Sequence, residues 1–226
     1  MSAAGCCTVM TLLALLPAAA LAHGVSGHDA EFVTSVRGAH PGPFAYLGAK
    51  HMVTGYDHLA FLCGVIFLLY RLRDVALYAT LFAVGHTITL LGAVLLGWRA
   101  DAHLVDAVIG LSVVYKGFEN IGGLRASGWQ PDSRAAVLGF GLVHGLGLAT
   151  KVQDLRPSPD GLVPNLIAFN VGVELGQLAA LAVMVLLFVL WRSTSSFARA
   201  IVPANVALMI AGFLLFGYQL AGYWLA

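Results

Sequence analysis

Apolar segments that follow one another with only short polar links constrain the fold of this chain more than any other feature. A helix needs about 20 mostly apolar residues to cross a bilayer, because it must satisfy its own backbone polar groups there. Charged residues make up only 10% of the sequence, against about 25% in soluble domains. We therefore predict an all-α, polytopic transmembrane helix bundle, residues 44–226, with about six spans: 44–70 (or from about 53), 75–98, 104–124, 135–150, 165–191 and 201–225.

The first residues have the pattern of a secretory signal peptide. An apolar centre at residues 9–16 is followed by Pro17 and then by the small residues Ala20 and Ala22. We expect residues 1–22 to be this signal peptide, and an uncleaved first span is the alternative.

Residues 23–43 are polar, with Pro41 and Pro43 near their end, and are predicted to form an exported tail. Cleavage of the signal would place His23 at the mature N-terminus, where its α-amine and imidazole together can chelate a metal. His23 and His28 are therefore candidates for loose N-terminal metal capture. A polar tail without a metal-binding role is the alternative.

The distribution of basic residues predicts the orientation of the bundle. With the N-terminus outside and six spans, the cytoplasmic loops would hold more arginine and lysine than the outer loops, as the positive-inside rule requires. The cytoplasmic set is Arg71, Arg73, Arg125, Arg134, Arg192 and Arg199, and the outer set is Arg99, Lys151 and Arg156.

Two histidines and a carboxylate lead into the first apolar segment, at His51, Asp57 and His58. Ionisable groups at membrane depth cost about 2.5–3.5 kcal/mol each on insertion scales, so they are rare without a partner or a function. On one continuous helix His51 and His58 would share a face and lie about 10.5 Å apart along the axis. That spacing favours two successive stations for a cation, with His51 nearer the outside.

Further polar residues fall at similar depth on other segments. A lone histidine in a membrane helix is usually a packing residue, but a set spread over four spans favours a functional site. On the fifth segment Asn170, Glu174 and Gln177 follow i, i+4, i+7 spacing and form one stripe. The predicted metal ligands are His51, Asp57, His58, His86, His144, Asn170 and Glu174.

Lys116, Glu119 and Asn120 lie deeper on the third segment, nearer its inner end. We predict that they form an inner relay or gate. The alternative is that Lys116 and Glu119, at i, i+3 spacing, only neutralise each other.

The ligand chemistry limits the ion. Imidazole with carboxylate and amide oxygen suits nickel, cobalt, zinc or iron better than copper(I), and several imidazoles argue against magnesium or calcium. Zinc and copper stay open beside nickel and cobalt. We expect a transported ion and no tightly bound cofactor. A net charge of +1 with no basic stripe argues against a nucleic-acid partner.

Several ordered motifs resemble the HupE/UreJ family of membrane proteins. The resemblance implies a bacterial inner-membrane permease with a periplasmic N-terminus. It also implies a role in supplying nickel, or sometimes cobalt, to hydrogenase and urease, with metalloenzyme maturation proteins as candidate partners and oligomers allowed. One departure is His51-Met52, where the hydrogenase-linked branch has His-Pro. The matching segments are 51–58, 85–90, 118–120, 141–147 and 169–177.

The predicted function is therefore transport of a divalent transition-metal cation, nickel first and cobalt next, through an intramembrane site, with no enzymatic step. Two alternatives stay open. One is an intramembrane zinc hydrolase, in which three histidines hold the metal and Asp57 or Glu174 activates water, although no HExxH motif is present. The other is a structural or assembly subunit whose buried polar network only fixes helix packing.

Overall fold

The structure is a computed structural model that describes residues 28–225. The predicted signal peptide at 1–22 and the candidate His23 lie outside the described residues.

The described residues form nine helices and no strand, as the apolar segments predict. In chain order they are α1 His28–Ser35, α2 Pro41–Thr54, α3 Tyr56–Ile66, α4 Leu72–Leu96, α5 Ala102–Asn120, α6 Gly123–Ala126, α7 Ser133–Asp154, α8 Leu162–Arg192 and α9 Ser196–Leu225.

By length and composition, four of these helices can cross a membrane: α4, α7, α8 and α9. Helix α5 coincides with most of the predicted third span, but it carries three charged residues, Asp106, Lys116 and Glu119. Helix α3 is apolar but has only 11 residues. The chain therefore has the helices of a membrane protein, while the number six for its spans stays a prediction.

Residues 44–70 do not form one continuous helix. Helix α2 ends at Thr54, and Gly55 adopts φ −75° and ψ 89°, which is outside helical geometry, before α3 begins at Tyr56. The backbone N–H of Gly55 still donates to the carbonyl of His51 at 2.8 Å and closes the last turn of α2. Because the chain bends here, His51 and His58 are not two turns apart on one axis.

The predicted exported tail is partly helical and packs on the bundle. Helix α1 buries Val33, and the ring of Phe32 lies 5.9 Å from that of Phe44 on α2. The side chain of Asn165, at the start of α8, accepts from the backbone N–H of His40 at 2.7 Å and donates to the Gly38 carbonyl at 2.9 Å. Residues 28–40 therefore cover one end of the bundle.

Three pairs of helices pack closely through glycine: α4 with α7, α5 with α9, and α2 with α8. A Cβ added at Gly141 would lie 2.4 Å from the Phe82 carbonyl oxygen, and one at Gly110 2.9 Å from the Gly212 carbonyl oxygen. The GxxxG pair of α8 behaves in the same way, since Gly172 meets the backbone of Ala45 on α2. Glycine at these positions therefore lets the helix backbones approach closely.

Arg192, at the end of α8, holds the carboxyl end of α3. Its guanidinium donates to the carbonyl oxygens of Ile66, Phe67 and Leu69, each at 2.7 Å, and lies over the ring of Tyr70. The Ile66 carbonyl also accepts from the backbone N–H of Leu69 at 3.0 Å, and a cation at this end of a helix is favoured by the helix dipole. Helix α3, which carries His58, is thereby held at its carboxyl end.

Candidate functional site

Four histidine rings from four helices meet in the interior of the bundle. His51 comes from α2, His58 from α3, His86 from α4 and His144 from α7. The ring centroid of His58 lies 5.2 Å from that of His51, 4.8 Å from that of His144 and 6.1 Å from that of His86. His58 is therefore the centre of the cluster, and we call these four residues the histidine cluster.

The break at Gly55 is what brings His51 and His58 together. Because α3 starts in a new direction, both rings face the same space, and the predicted separation into two stations does not hold. A Cβ at Gly55 would lie 2.9 Å from Nδ1 of His58 and 3.0 Å from the carbonyl oxygen of His51. Only glycine leaves room for this approach.

Asp57 orients His58 and is buried with it. Its Oδ1 accepts from the backbone N–H of His58 at 2.9 Å and lies 2.9 Å from Nδ1 of the ring. Since a carboxylate is an acceptor, Nδ1 carries the proton and Nε2 keeps its lone pair. This is how protein carboxylates support a metal-binding imidazole from behind. The geometry gives Asp57 a positioning contact with His58, whereas the sequence predicted a direct ligand.

Each ring of the cluster has a buried nitrogen with no hydrogen-bond partner among the described residues. These atoms are Nε2 of His51, His58 and His86 and Nδ1 of His144. An unsatisfied buried polar atom costs about 1–3 kcal/mol, so a purely structural network would not concentrate four of them in one place. A metal cation is a species that such imidazole nitrogens can bind when they present a lone pair.

Aromatic side chains close one side of the histidine cluster. Phe61 and Phe82 are fully buried, their centroids lie 5.4 Å apart, and both rings contact His144 at 5.4 Å and 5.0 Å. Ser112 Oγ lies 3.5 Å from Nε2 of His144 and fixes that ring from α5. One side of the histidine cluster therefore packs against buried aromatic rings.

The ring spacing is compatible with shared ligation, but the donors are not converged. Two imidazoles bound to one ion through bonds of about 2.1 Å have ring centroids roughly 4.5–5.5 Å apart. The pairs His51–His58 and His58–His144 fall in that range. Across residues 28–225, however, no three His, Cys, Asp or Glu side chains are arranged to hold a metal. Side-chain rotation would have to accompany binding.

The structure does not bring Glu174 to the histidine cluster. The residue is exposed on α8 and lines a cavity of about 440 Å³ between α8 and α4, together with Thr80 and Gln177. Asn170 is buried one turn away and accepts from Thr87 on α4 at 3.3 Å, next to His86. Asn170 therefore lies beside the cluster, and Glu174 faces away from it.

The inner polar residues form a separate group. Lys116 is ion-paired with Glu119 and also donates to Ser133 at 3.2 Å. Asn120 donates to the Gly64 carbonyl and to Asn205 Oδ1, both at 2.8 Å. Glu119 and Asn120 line a cavity of about 380 Å³ near the start of α7. The neutralising contact between Lys116 and Glu119 is confirmed, and their role as a relay stays a prediction.

His28 differs from the histidines of the cluster because it is exposed to solvent. Its side chain is fully exposed on α1, and its ring is 3.9 Å from the carboxylate of Glu31. It is therefore accessible to solvent, and its predicted capture of metal with His23 stays a prediction.

Two charged residues that the sequence did not single out adjoin the cluster. Asp106 on α5 and Lys151 on α7 form a salt bridge of 2.8 Å and line the same small cavity as His51, His58 and His144. Asp106 could have been predicted as a site residue from the sequence, because it is a carboxylate inside an apolar segment. Lys151 could not, because it lies one residue beyond the predicted end of its span.

Comparison with known families gives one clear result. The family described as HupE / UreJ protein matches residues 28–226, which includes every described residue of the bundle. No curated protein and no solved structure gives a significant match. The family match covers far more than half of the chain, and it agrees with the motifs that carry the four histidines. This chain belongs to the HupE/UreJ family.

Proposed function

We propose that this protein moves a divalent transition-metal cation across a membrane, with the histidine cluster as the intramembrane site where the cation binds in transit. The observation that supports this most is the set of four unpartnered imidazole nitrogens on four helices, gathered around His58. Membership of the HupE/UreJ family supports the same function, because the likeness to this family implies a role in nickel or cobalt supply.

The state of the cluster suits transient binding better than permanent binding. A transport site must bind its cargo and then release it. Imidazoles that lie near each other without a closed ligand set can turn toward an ion and turn back. A structural zinc site, by contrast, has a closed tetrahedral shell.

The donor set favours nickel, followed by cobalt. Imidazole nitrogen is a ligand of intermediate softness that suits both ions, and affinities at such sites rise from cobalt to nickel. Among the described residues Cys63 is the only cysteine, so a thiolate cluster selective for copper(I) is not formed there. The same affinity order continues to copper(II), so copper(II) and zinc are the ions that compete at this site.

The zinc-hydrolase alternative has less support. It requires three histidines closed on one metal with a catalytic carboxylate beside them, and the described residues hold no group arranged in that way. Glu174, one of its two candidate bases, faces a different cavity. Asp57, the other, is occupied by its contact with His58.

We place the protein in a bacterial inner membrane with the N-terminus outside, so that α1 faces the periplasm. In this orientation the cation passes from the cluster past Phe61 toward the Lys116–Glu119 pair. Helix α3 connects these levels, since His58, Phe61 and Gly64 follow i, i+3, i+6 spacing and Gly64 contacts Lys116 and Asn120.

Nickel accumulation in whole cells tests the proposed function. Cells that express the chain are expected to accumulate Ni²⁺, and His58→Ala and His144→Ala should abolish the gain at equal membrane protein levels. His40→Ala is the matched control, because His40 is an exposed histidine outside the cluster. Unchanged accumulation in both cluster variants would leave the buried polar network with a structural role only.

A further inference from the structure

The outer side of the histidine cluster is closed by a buried ion pair. Lys151 Nζ donates to both carboxylate oxygens of Asp106, at 2.8 Å and 3.1 Å. The Asp106 side chain is 9% exposed and that of Lys151 is 21% exposed. Lys151 is thus the member of the pair that reaches toward solvent.

The pair and the histidines share one cavity. Asp106, Lys151, His51, His58 and His144 all line a space of about 10 Å³, which is roughly the room that one water molecule needs. A bare cation placed there would adjoin three imidazoles and the Asp106 carboxylate, which all line this cavity. The Lys151 ammonium already neutralises that carboxylate.

Asp106 would keep its position if Lys151 left. Gln219 on α9 donates to Asp106 Oδ2 at 3.3 Å, and the Gln219 carbonyl lies 2.8 Å from Nδ1 of His103. His103 thereby orients the amide, and the amide holds the carboxylate. Among residues 28–225 the Lys151 ammonium donates only to Asp106, and its four-carbon stem can extend the ammonium to solvent.

We infer that Lys151 is a tethered counter-cation that the transported metal ion displaces from Asp106. The arriving divalent cation takes over the carboxylate, Lys151 swings out toward the aqueous side, and the cation gains an oxygen ligand beside the imidazoles. When the cation leaves, Lys151 returns and neutralises Asp106. The inference rests on the proposed function, and it adds an outer gate and an oxygen ligand to the same site.

A displaced counter-cation has a signature that a structural ion pair lacks. A tethered ammonium competes with the metal at a high effective concentration, so its removal must tighten metal binding. A pair that only fastens α5 to α7 would instead weaken binding when it is broken, because the site would loosen. The sign of the change therefore separates the two roles.

The test uses the purified full chain in detergent, titrated with Co²⁺ and followed by its visible ligand-field absorption. Lys151→Gln is expected to raise Co²⁺ affinity about tenfold, and Asp106→Asn to lower it about tenfold. In the double variant the effect of Lys151→Gln should vanish, because Lys151 acts through Asp106. Arg99→Gln is the matched control, since Arg99 pairs with Asp154 at the same end of α7 but both are half exposed.

Unchanged or weaker Co²⁺ binding by Lys151→Gln overturns the inference, and so does an equal gain from Arg99→Gln. If Lys151→Gln does not fold, Lys151→Arg decides, because a bidentate guanidinium releases a carboxylate less readily and should weaken Co²⁺ binding. Wild-type affinity in Lys151→Arg would then overturn it. A wild-type chain that binds neither Co²⁺ nor Ni²⁺ overturns the proposed function as well, whereas binding that depends on His58 but not on Lys151 overturns this inference alone.

Discussion

The imidazole rings of His58 and His144 lie with their centroids 4.8 Å apart and nearly perpendicular, at 78°, although they come from α3 and α7. Each ring has a buried nitrogen without a hydrogen-bond partner in the described chain. Their neighbours His51 and His86 share this property, and the predictions below follow from treating the four rings as one site.

Asp57→Asn tests how His58 is oriented. An amide can present its NH₂ to Nδ1, which favours the opposite tautomer and puts the proton on Nε2. Removing such a carboxylate typically lowers metal affinity about 10–100-fold. A Co²⁺ titration of the purified variant should show a loss of that size, with Asp74→Asn, at an exposed ion pair with Arg73, as the control. Wild-type affinity would show that Asp57 does not set the tautomer.

Gly55→Ala tests the close approach between α2 and α3. The added methyl group would lie 2.9 Å from Nδ1 of His58 and 3.0 Å from the His51 carbonyl oxygen, so the two rings must separate. We expect weaker Co²⁺ binding and a lower melting temperature. Gly42 lies on α2 with no described heavy atom within 4 Å of an added Cβ, so Gly42→Ala should change neither quantity appreciably. Equal behaviour of the two variants would contradict the bend as the source of the cluster.

Gly145→Ala tests the packing of α4 against α7. A Cβ there would lie 2.2 Å from the carbonyl oxygen of His86 and 2.2 Å from Thr89 Oγ1, and a backbone carbonyl cannot move aside cheaply. Overpacking of this kind costs about 1–3 kcal/mol of unfolding free energy. Gly139→Ala on the same helix meets no described heavy atom within 4 Å, so helix propensity alone should make it neutral or stabilising by about 0.5–1 kcal/mol. Thermal or denaturant unfolding in detergent compares the pair.

Glu174→Gln tests the exclusion of Glu174 from the site. Because its side chain lines the separate cavity between α4 and α8, its charge should not contribute to the cation site. Co²⁺ affinity should stay within about twofold of the wild-type value, which is less than 0.5 kcal/mol. A tenfold loss would mean that α8 turns Glu174 toward the histidines when the metal binds.

Much of the helical framework could be predicted from apolar runs alone. The predicted spans at 75–98 and 165–191 agree with α4 and α8 to within a few residues. The bend at Gly55 could not be predicted, because glycine inside an apolar pattern is compatible with a continuous helix and with a break. That single bend converts two separated histidines into neighbours.

The polar stripe on α8 shows why the side of a helix that faces the interior is harder to predict than the residues that form the helix. At 100° per residue, Glu174 lies about 40° from Asn170 and about 60° from Gln177 around the helix, so it sits at one edge of the stripe. Asn170 and Gln177 are buried, and Glu174 is exposed. Which edge of a polar arc faces the interior depends on how α2 and α4 pack against α8, and periodicity carries no information about that.

Uptake of Ni²⁺ into proteoliposomes that contain only this protein tests the central claim most directly. Wild-type vesicles should accumulate Ni²⁺ above protein-free vesicles, His40→Ala should match the wild type, and His58→Ala should reduce uptake to the protein-free level while the variant keeps its fold. Wild-type uptake by His58→Ala, or no uptake by the wild-type protein for Ni²⁺ or Co²⁺, would contradict the histidine cluster as a transport site.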